Sequence, residues 1–420
     1  MDSVYHLLNP WWEGRPFDTG IGRAAYVAPL TEALGRRQVE VLVGSRRVGK
    51  TTLLRQVIGE LVAAGVPARD VCYLALDHPA LASVPLSEHL KRFRKEFRHP
   101  RDRRLYLFLD EIQDSPGWGV ELKALYDTER VKVLCSGSTS ALIARQGGKL
   151  TGRQIVTTVY PLSFSEFVAF RGGPPSAAED YRFESLAEEY LATGGYPEQV
   201  LSPSHEYLAN LLDDILARDL LRLFPIRKPA ALRDLVRLIA ASVGSRTSFN
   251  RLSKLLGLSL DTAKEYIGYL ESAFLVAALE KWTSSHSERV YAQRKLYLCD
   301  TGLKTLFTGQ GDEGSRAETA VFMELKRRGV PAGYYAESEL EVDFVTGTPG
   351  DPLPVEVKLL DDVDLKDRRF AGLRMFLRRH PKTRRALVVS RTVTASLTVG
   401  SVSVEVVPLW EFLLRADLYL

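Results

Sequence analysis

Gly44, Ser45, Arg46, Arg47, Val48, Gly49, Lys50, Thr51 and Thr52 spell G-x-x-x-x-G-K-T, and these residue types at this spacing suit a nucleoside triphosphate. The glycines let backbone N–H groups turn inward around phosphates. Lys50 neutralises the β- and γ-phosphates, the Thr51 hydroxyl ligates Mg²⁺, and the N-terminus of the following helix adds a favourable dipole. Arg46 and Arg47 are expected to contribute backbone amides, with their side chains pointing away. A second segment, Leu105-Tyr-Leu-Phe-Leu-Asp110-Glu111, is an apolar run ending in two carboxylates. Asp110 would hold the Mg²⁺ and Glu111 would polarise the attacking water. An ordinary acidic turn is the alternative, but it leaves unexplained why this run follows the glycine loop. Val131-Lys-Val-Leu-Cys-Ser136-Gly137-Ser138-Thr139-Ser140 ends in hydroxyls that either sense the γ-phosphate or ease a tight turn.

Strands and helices must deliver these residues to one edge. Up to about residue 170, short apolar strands (Val39–Val43, 71–76, 105–109, 131–136, 155–159) alternate with amphipathic helices, the pattern of a parallel sheet covered on both faces. Arg171-Gly-Gly-Pro-Pro-Ser176 breaks periodicity as a linker. Helical patterning resumes from 183 to about 241, interrupted at Thr193-Gly-Gly-Tyr-Pro197. Phe249–Leu256, Gly257-Leu-Ser259 and 260–274 have helix–turn–helix spacing, with Gly257 opening the turn and Ser259 capping the second helix. Strands at 275–279 and 295–298 would complete a winged helix. Thr262, Lys264 and Glu265 would face DNA if the second helix read it, although Asp261 and Glu265 sit poorly near phosphates.

With these pieces in view the chain resembles a family of archaeal and bacterial AAA-type P-loop ATPases that carry a C-terminal domain of unknown function. The matching segments include Asn9-Pro-Trp-Trp12, the phosphate loop, Leu109-Asp-Glu-Ile-Gln113 and Ser136-Gly-Ser138. Further along they include Leu150-Thr-Gly-Arg153, Tyr160-Pro-Leu-Ser-Phe-Ser-Glu-Phe167, Thr193-Gly-Gly-Tyr-Pro-Glu198 and Tyr297-Leu-Cys-Asp-Thr-Gly-Leu303. Glu341-Val-Asp-Phe344 and Val355-Glu-Val-Lys358 complete them. The resemblance implies ATP and Mg²⁺ as cofactors. The expected fold class is α/β: a P-loop NTPase parallel sheet domain (1–170), a helical connecting segment (171–235), a winged-helix module (236–303) and a restriction-endonuclease-like domain (304–420). In AAA-type ATPases a winged helix serves as a lid or as a DNA reader, and both readings stand. Arg153 is the first candidate for an arginine finger and Arg218 the second, each with a structural ion pair as its alternative. Trp11 or Trp12 either stacks near the adenine or packs in the core.

From about Gly314 the pattern runs helix, strand, strand, strand, helix, strand, and it resembles the PD-(D/E)xK nuclease core. The resemblance has Asp343 and Glu356 holding Mg²⁺, with Glu318 from the preceding helix completing the acidic site. Glu356 and Lys358 share a strand face, because strand side chains repeat every second residue. Lys358 could then activate water beside a metal-bound phosphate. The alternative is a retained fold whose charges form internal ion pairs.

A chain of 420 residues with 45% hydrophobic and 26% charged residues has room for several domains. Its net charge of +4 neither requires nor excludes nucleic acid, but basic residues cluster at 91–104 and 368–385. Cys72, Cys135 and Cys299 make no metal or disulfide spacing, which fits a cytoplasmic protein. No apolar run reaches membrane-spanning length. The expected partners are ATP, DNA and protein partners, with self-assembly into an oligomer open and no membrane. The function so read is a Mg²⁺-dependent ATPase coupled to DNA binding or processing. Its alternative is a nucleotide-driven switch acting on protein partners, with a catalytically inactive nuclease-like domain.

Overall fold

Val159 and Tyr160 mark the division between two compact units. The computed structural model describes residues 3–138, 150–176, 179, 181–309 and 311–420; Thr139 and Ser140 of the hydroxyl run lie outside the described residues. In the first unit, β1 (Val39–Val43), β2 (Val71–Ala75), β3 (Leu105–Asp110), β4 (Val131–Gly137) and β5 (Gln154–Thr158) form one sheet in the order β2-β3-β4-β1-β5. Every pairing is parallel. Continuous apolar runs suit such strands because helices cover both faces, and every residue of β1 is buried. The charge within it, Glu40, is met by Lys132 of β4 at 3.0 Å. Parallel pairing requires crossovers, supplied here by the helices Lys50–Ala63, Leu86–Phe97 and Trp118–Thr128.

The edge strand β2 has a free row of backbone groups, and the Asn9-Pro-Trp-Trp12 segment covers it. The Asn9 amide bonds both backbone groups of Tyr73, donating at 2.9 Å and accepting at 2.7 Å. The indoles of Trp11 and Trp12 both donate to the Val71 carbonyl, at 3.1 and 2.8 Å. The tryptophans are therefore core residues that satisfy a strand edge.

The second unit begins at Tyr160, ahead of the Gly-Pro segment at 171–176. The helices Phe164–Phe170, Arg182–Thr193, Pro197–Leu201, His205–Asp214 and Pro229–Ala241 lead to a small sheet of β6 (Arg246–Thr247), β7 (Val276–Leu279) and β8 (Arg294–Leu298), ordered β6-β8-β7. Between β6 and β7 lie the helices Phe249–Leu256 and Leu260–Ser272. Ser248 caps the first by accepting the Arg251 N–H, Gly257 ends it at φ 59°, and Ser259 caps the second by accepting the Thr262 N–H. A buried carboxylate ties this region together. Asp300 accepts the N–H groups of Gly195 (2.7 Å) and Leu303 (3.1 Å), joining the Gly-Gly-Tyr-Pro break to the start of the helix Thr301–Thr308.

The helix Glu313–Arg327 precedes β9 (Ala332–Glu337), β10 (Leu340–Thr348), β11 (Asp351–Val357), the helix Ala371–Arg379 and β12 (Arg385–Ser390). That much follows the expected alternation. A hairpin of β13 (Ala395–Val399) and β14 (Val402–Pro408) and the helix Leu409–Arg415 then extend it. The mixed sheet runs β13-β14-β12-β11-β10-β9. Residues of the helices Glu313–Arg327 and Leu409–Arg415 lie in one apolar cluster with this sheet, and those of Ala371–Arg379 lie in another.

Candidate functional site

The loop after β1 wraps into the first turn of the helix Lys50–Ala63. Gly49 takes φ 95°, a left-handed conformation that side-chain-bearing residues resist. A Cβ on Gly44 would lie 2.2 Å from the Val159 carbonyl oxygen, so no side chain fits there. Lys50 is only 4% exposed, and its ammonium is held by the carbonyls of Gly44 and Ser45, each at 2.9 Å. A cation thus stands inside a loop of backbone amides at a helix N-terminus, an arrangement that attracts phosphate. Arg23, 2% exposed, props this loop from behind by donating to the Val48 carbonyl at 2.7 Å. Arg47 is exposed and Arg46 half-buried.

Asp110, at the end of β3, gathers three hydroxyls. Thr51 donates to Oδ2 at 2.7 Å, Tyr73 donates to the same oxygen at 2.8 Å, and Ser136 donates to Oδ1. β4 lies between β1 and β3, so Ser136 at its end stands between the phosphate loop and the acids. Its oxygen also accepts the Glu111 N–H at 2.9 Å. Glu111 sits at φ 52°, a strained setting for a residue with a side chain, and the Gln113 amide donates to its carboxylate. Burial pushes the Glu111 carboxyl above the ordinary glutamate value; nearby Lys50 opposes that shift and Asp110 adds to it. A raised carboxyl is better suited to accept a proton from water. Lys50, Thr51, Asp110 and Glu111 are thus brought together. Tyr73 and Arg23 join them although the sequence reading missed both.

Arg153 is not brought to this place. Its carbonyl accepts the Val39 N–H at 2.8 Å, which sets it at the start of β1, whereas the phosphate loop follows the end of β1. A strand of this length spans about 16 Å. The Arg153 guanidinium pairs with Asp127 at 3.1 Å and lies over the Tyr126 ring, so within the chain the arginine-finger expectation gives way to an ion pair. Arg218, in the second unit, pairs with Asp214 at 3.2 Å.

In the second unit the sheet gathers the expected Glu318, Asp343, Glu356 and Lys358. β10 changes register between Val342 and Val345, and such irregularities re-aim side chains. Asp343 lies within it and accepts the Val357 N–H at 2.9 Å. Lys358 bonds Asp343 and Glu356, both at 2.9 Å. Lys295 of β8, absent from the sequence reading, reaches Glu318 (3.2 Å), Glu341 (3.2 Å) and Asp343 (3.6 Å). Burial and the adjacent Asp343 charge push the Glu356 carboxyl up to about 8 and that of Glu318 to about 7. Burial also opposes ionisation of Asp343, but Lys358 and Lys295 hold it below the usual aspartate value.

The two sites differ in their fit to a metal. Thr51 and Asp110 offer hard oxygen donors beside a phosphate cradle, which suits Mg²⁺. In the second unit each of the four carboxylates is engaged by a lysine, and among the described residues no group of three or more His, Cys, Asp or Glu side chains could hold a metal ion. The expected Mg²⁺ ligation by Asp343 and Glu356 does not fit this arrangement, because ammonium groups occupy their oxygens.

Residues 36–168 match the family model of an AAA domain, and residues 184–313 match the domain of unknown function DUF8612. An uncharacterized protein of Haemophilus influenzae is 25% identical over 348 residues, covering 80% of this chain and 86% of that protein. An uncharacterized protein of Methanocaldococcus jannaschii is 26% identical over 328 residues, covering 73% and 72%. Among solved structures, the Walker-type ATPase Paby2304 of Pyrococcus abyssi covers 71% of this chain and 99% of its own at 16% identity, with a TM-score of 0.43. The RuvB Holliday junction branch migration motor of Thermotoga maritima covers 61% and 89% at 18% identity, with a TM-score of 0.32. The family match and the geometry of the phosphate loop together support reading the first unit as an AAA-type P-loop domain.

Proposed function

We propose that this chain is an Mg²⁺-dependent ATPase whose turnover is coupled to DNA binding through its second unit. The observation that carries the first half is the convergence of Lys50, Thr51, Asp110 and Glu111 at one edge of the parallel sheet. Lys50 would exchange the loop carbonyls for phosphate oxygens when nucleotide enters. Thr51 and Asp110 would hold Mg²⁺, which supplies positive charge to the phosphates when bound. Glu111 would orient the attacking water and take its proton, with Ser136 and Gln113 fixing its backbone and carboxylate.

The DNA half rests on the capped helix–turn–helix, read as a winged helix, and on Arg368, Arg378, Lys382 and Arg385. These four are exposed and make no salt bridge among the described residues, although the Arg368 charge acts on Asp367. One observation favours the second reading, a switch acting on protein partners. Much of the basic clustering is consumed internally: Arg94 and Arg101 pair with Glu129, Arg103 with Asp70, Arg369 with Asp367, Arg379 with Glu337 and Arg384 with Asp351.

ATPase assays with single-stranded, duplex and branched DNA over a salt series separate the two readings. The DNA reading predicts stimulation that fades steeply as salt rises, because binding to phosphates releases counterions. Hydrolysis indifferent to every DNA form would contradict that reading and favour the protein switch.

A further inference from the structure

Lys295 stands out because it is wholly buried and comes from a different sheet than Glu341 and Asp343, while also meeting Glu318 of the helix Glu313–Arg327. It and Tyr297 alternate on β8 and so share a face. Lys295 reaches Glu318, Glu341 and Asp343, and the Tyr297 hydroxyl donates to Glu318 at 2.6 Å. Beside Lys295 on β6, its register partner Arg246 pairs with Glu341 at 3.3 Å. The chain just before β6 closes over Glu318, for a Cβ on Gly244 would lie 2.7 Å from Glu318 Oε2. Within the six-stranded sheet Lys358 already serves Asp343 and Glu356. Four carboxylates therefore share two internal ammonium groups, one of them delivered by the small sheet.

We propose that Lys295 is a built-in cation that fills the Glu318–Glu341–Asp343 half of this cluster. It latches the three-stranded sheet to the six-stranded sheet and keeps divalent metal out while the latch is closed. An ammonium is a compact point charge that can stand where a cation would otherwise be needed. A divalent ion entering the same space would have to expel it, and Lys295, fully buried on β8, has no solvent beside it to receive its charge. Removing the lysine should therefore do two things at once: leave buried acids without a partner, which is destabilising, and free three carboxylates, not placed for a metal while the lysine stands among them, to close around an ion.

Thermal melting with and without Mn²⁺ tests this on the full-length, nucleotide-free protein. Every variant is built on Asp110→Asn, so that the ATP site contributes equally little throughout. Lys295→Met should melt lower than its parent, and Mn²⁺ should raise its melting temperature by about 5 °C or more. The parent and Lys295→Arg should not respond. A cooperatively melting Lys295→Met that ignores Mn²⁺ overturns the proposal, as does a parent that responds equally. Should Lys295→Met fail to fold in either condition, the pair Lys295→Met with Glu318→Gln removes the charge imbalance. Restored folding supports the latch; a pair that stays unfolded contradicts it.

Discussion

Asp110 holds hydroxyls from the helix Lys50–Ala63, from β2 and from β4; the first and last belong to segments the sequence singles out, whereas Tyr73 of β2 does not. Thr51 and Asp110 belong to contiguous signatures, whereas Tyr73 reaches the carboxylate because β2 and β3 are neighbours, a fact of topology. The Tyr73 hydroxyl bonds a charged group, a contact worth about 1.5–3 kcal/mol. If that contact orients Asp110 for the reaction, Tyr73→Phe should lower turnover by about ten- to a hundredfold with little change in ATP affinity, measured by steady-state hydrolysis beside nucleotide titration. Glu111 makes a second prediction. The ionised carboxylate is the form that accepts a proton, and its protonation lies above the ordinary glutamate value of 4.5 because the group is buried. Turnover should therefore fall, as pH is lowered, at a higher pH than an exposed glutamate would dictate. A kcat profile whose acid limb lies at or below the ordinary value would contradict this. Lys295 was illegible for the same reason as Tyr73, since its acid partners lie 23 or more positions away in the chain, on other elements.

Elements were easier to read than their connections. Strong apolar periodicity and complete caps made the five parallel strands and the helix–turn–helix evident, and Ser248, Gly257 and Ser259 act as their residue types suggest. The β13–β14 hairpin was missed because its edge strand is half-exposed and carries Ser396 and Thr398 rather than a clear apolar run. The Thr193–Glu198 and Tyr297–Leu303 segments lie far apart in the sequence, yet they form one clamp around Asp300. Burial raises the Asp300 carboxyl, and the backbone N–H groups of Gly195 and Leu303 oppose that shift. Asp300→Ala would leave these buried donors unpaired and uncap the helix Thr301–Thr308, at a cost of about 2–5 kcal/mol. Chemical denaturation should show that loss in the second unit, with Asp300→Asn costing less; an unchanged midpoint for the alanine variant would refute the clamp.

At the scale of the molecule, an AAA domain is joined to a second unit that carries a helix–turn–helix, a small sheet and a mixed six-stranded sheet. No helix among the described residues is long and apolar enough to cross a membrane. Under the proposed function the first unit hydrolyses ATP and the second reads DNA, so both roles depend on hydrolysis at the edge of the parallel sheet. Glu111→Gln tests that dependence most directly, because it preserves the shape of the side chain while removing the proton acceptor. Measured together, ATP binding by titration and phosphate release by steady-state assay should separate: the variant should bind ATP within a few-fold of the parent and lose turnover by about a hundredfold or more. Parental hydrolysis rates in Glu111→Gln would contradict the assignment.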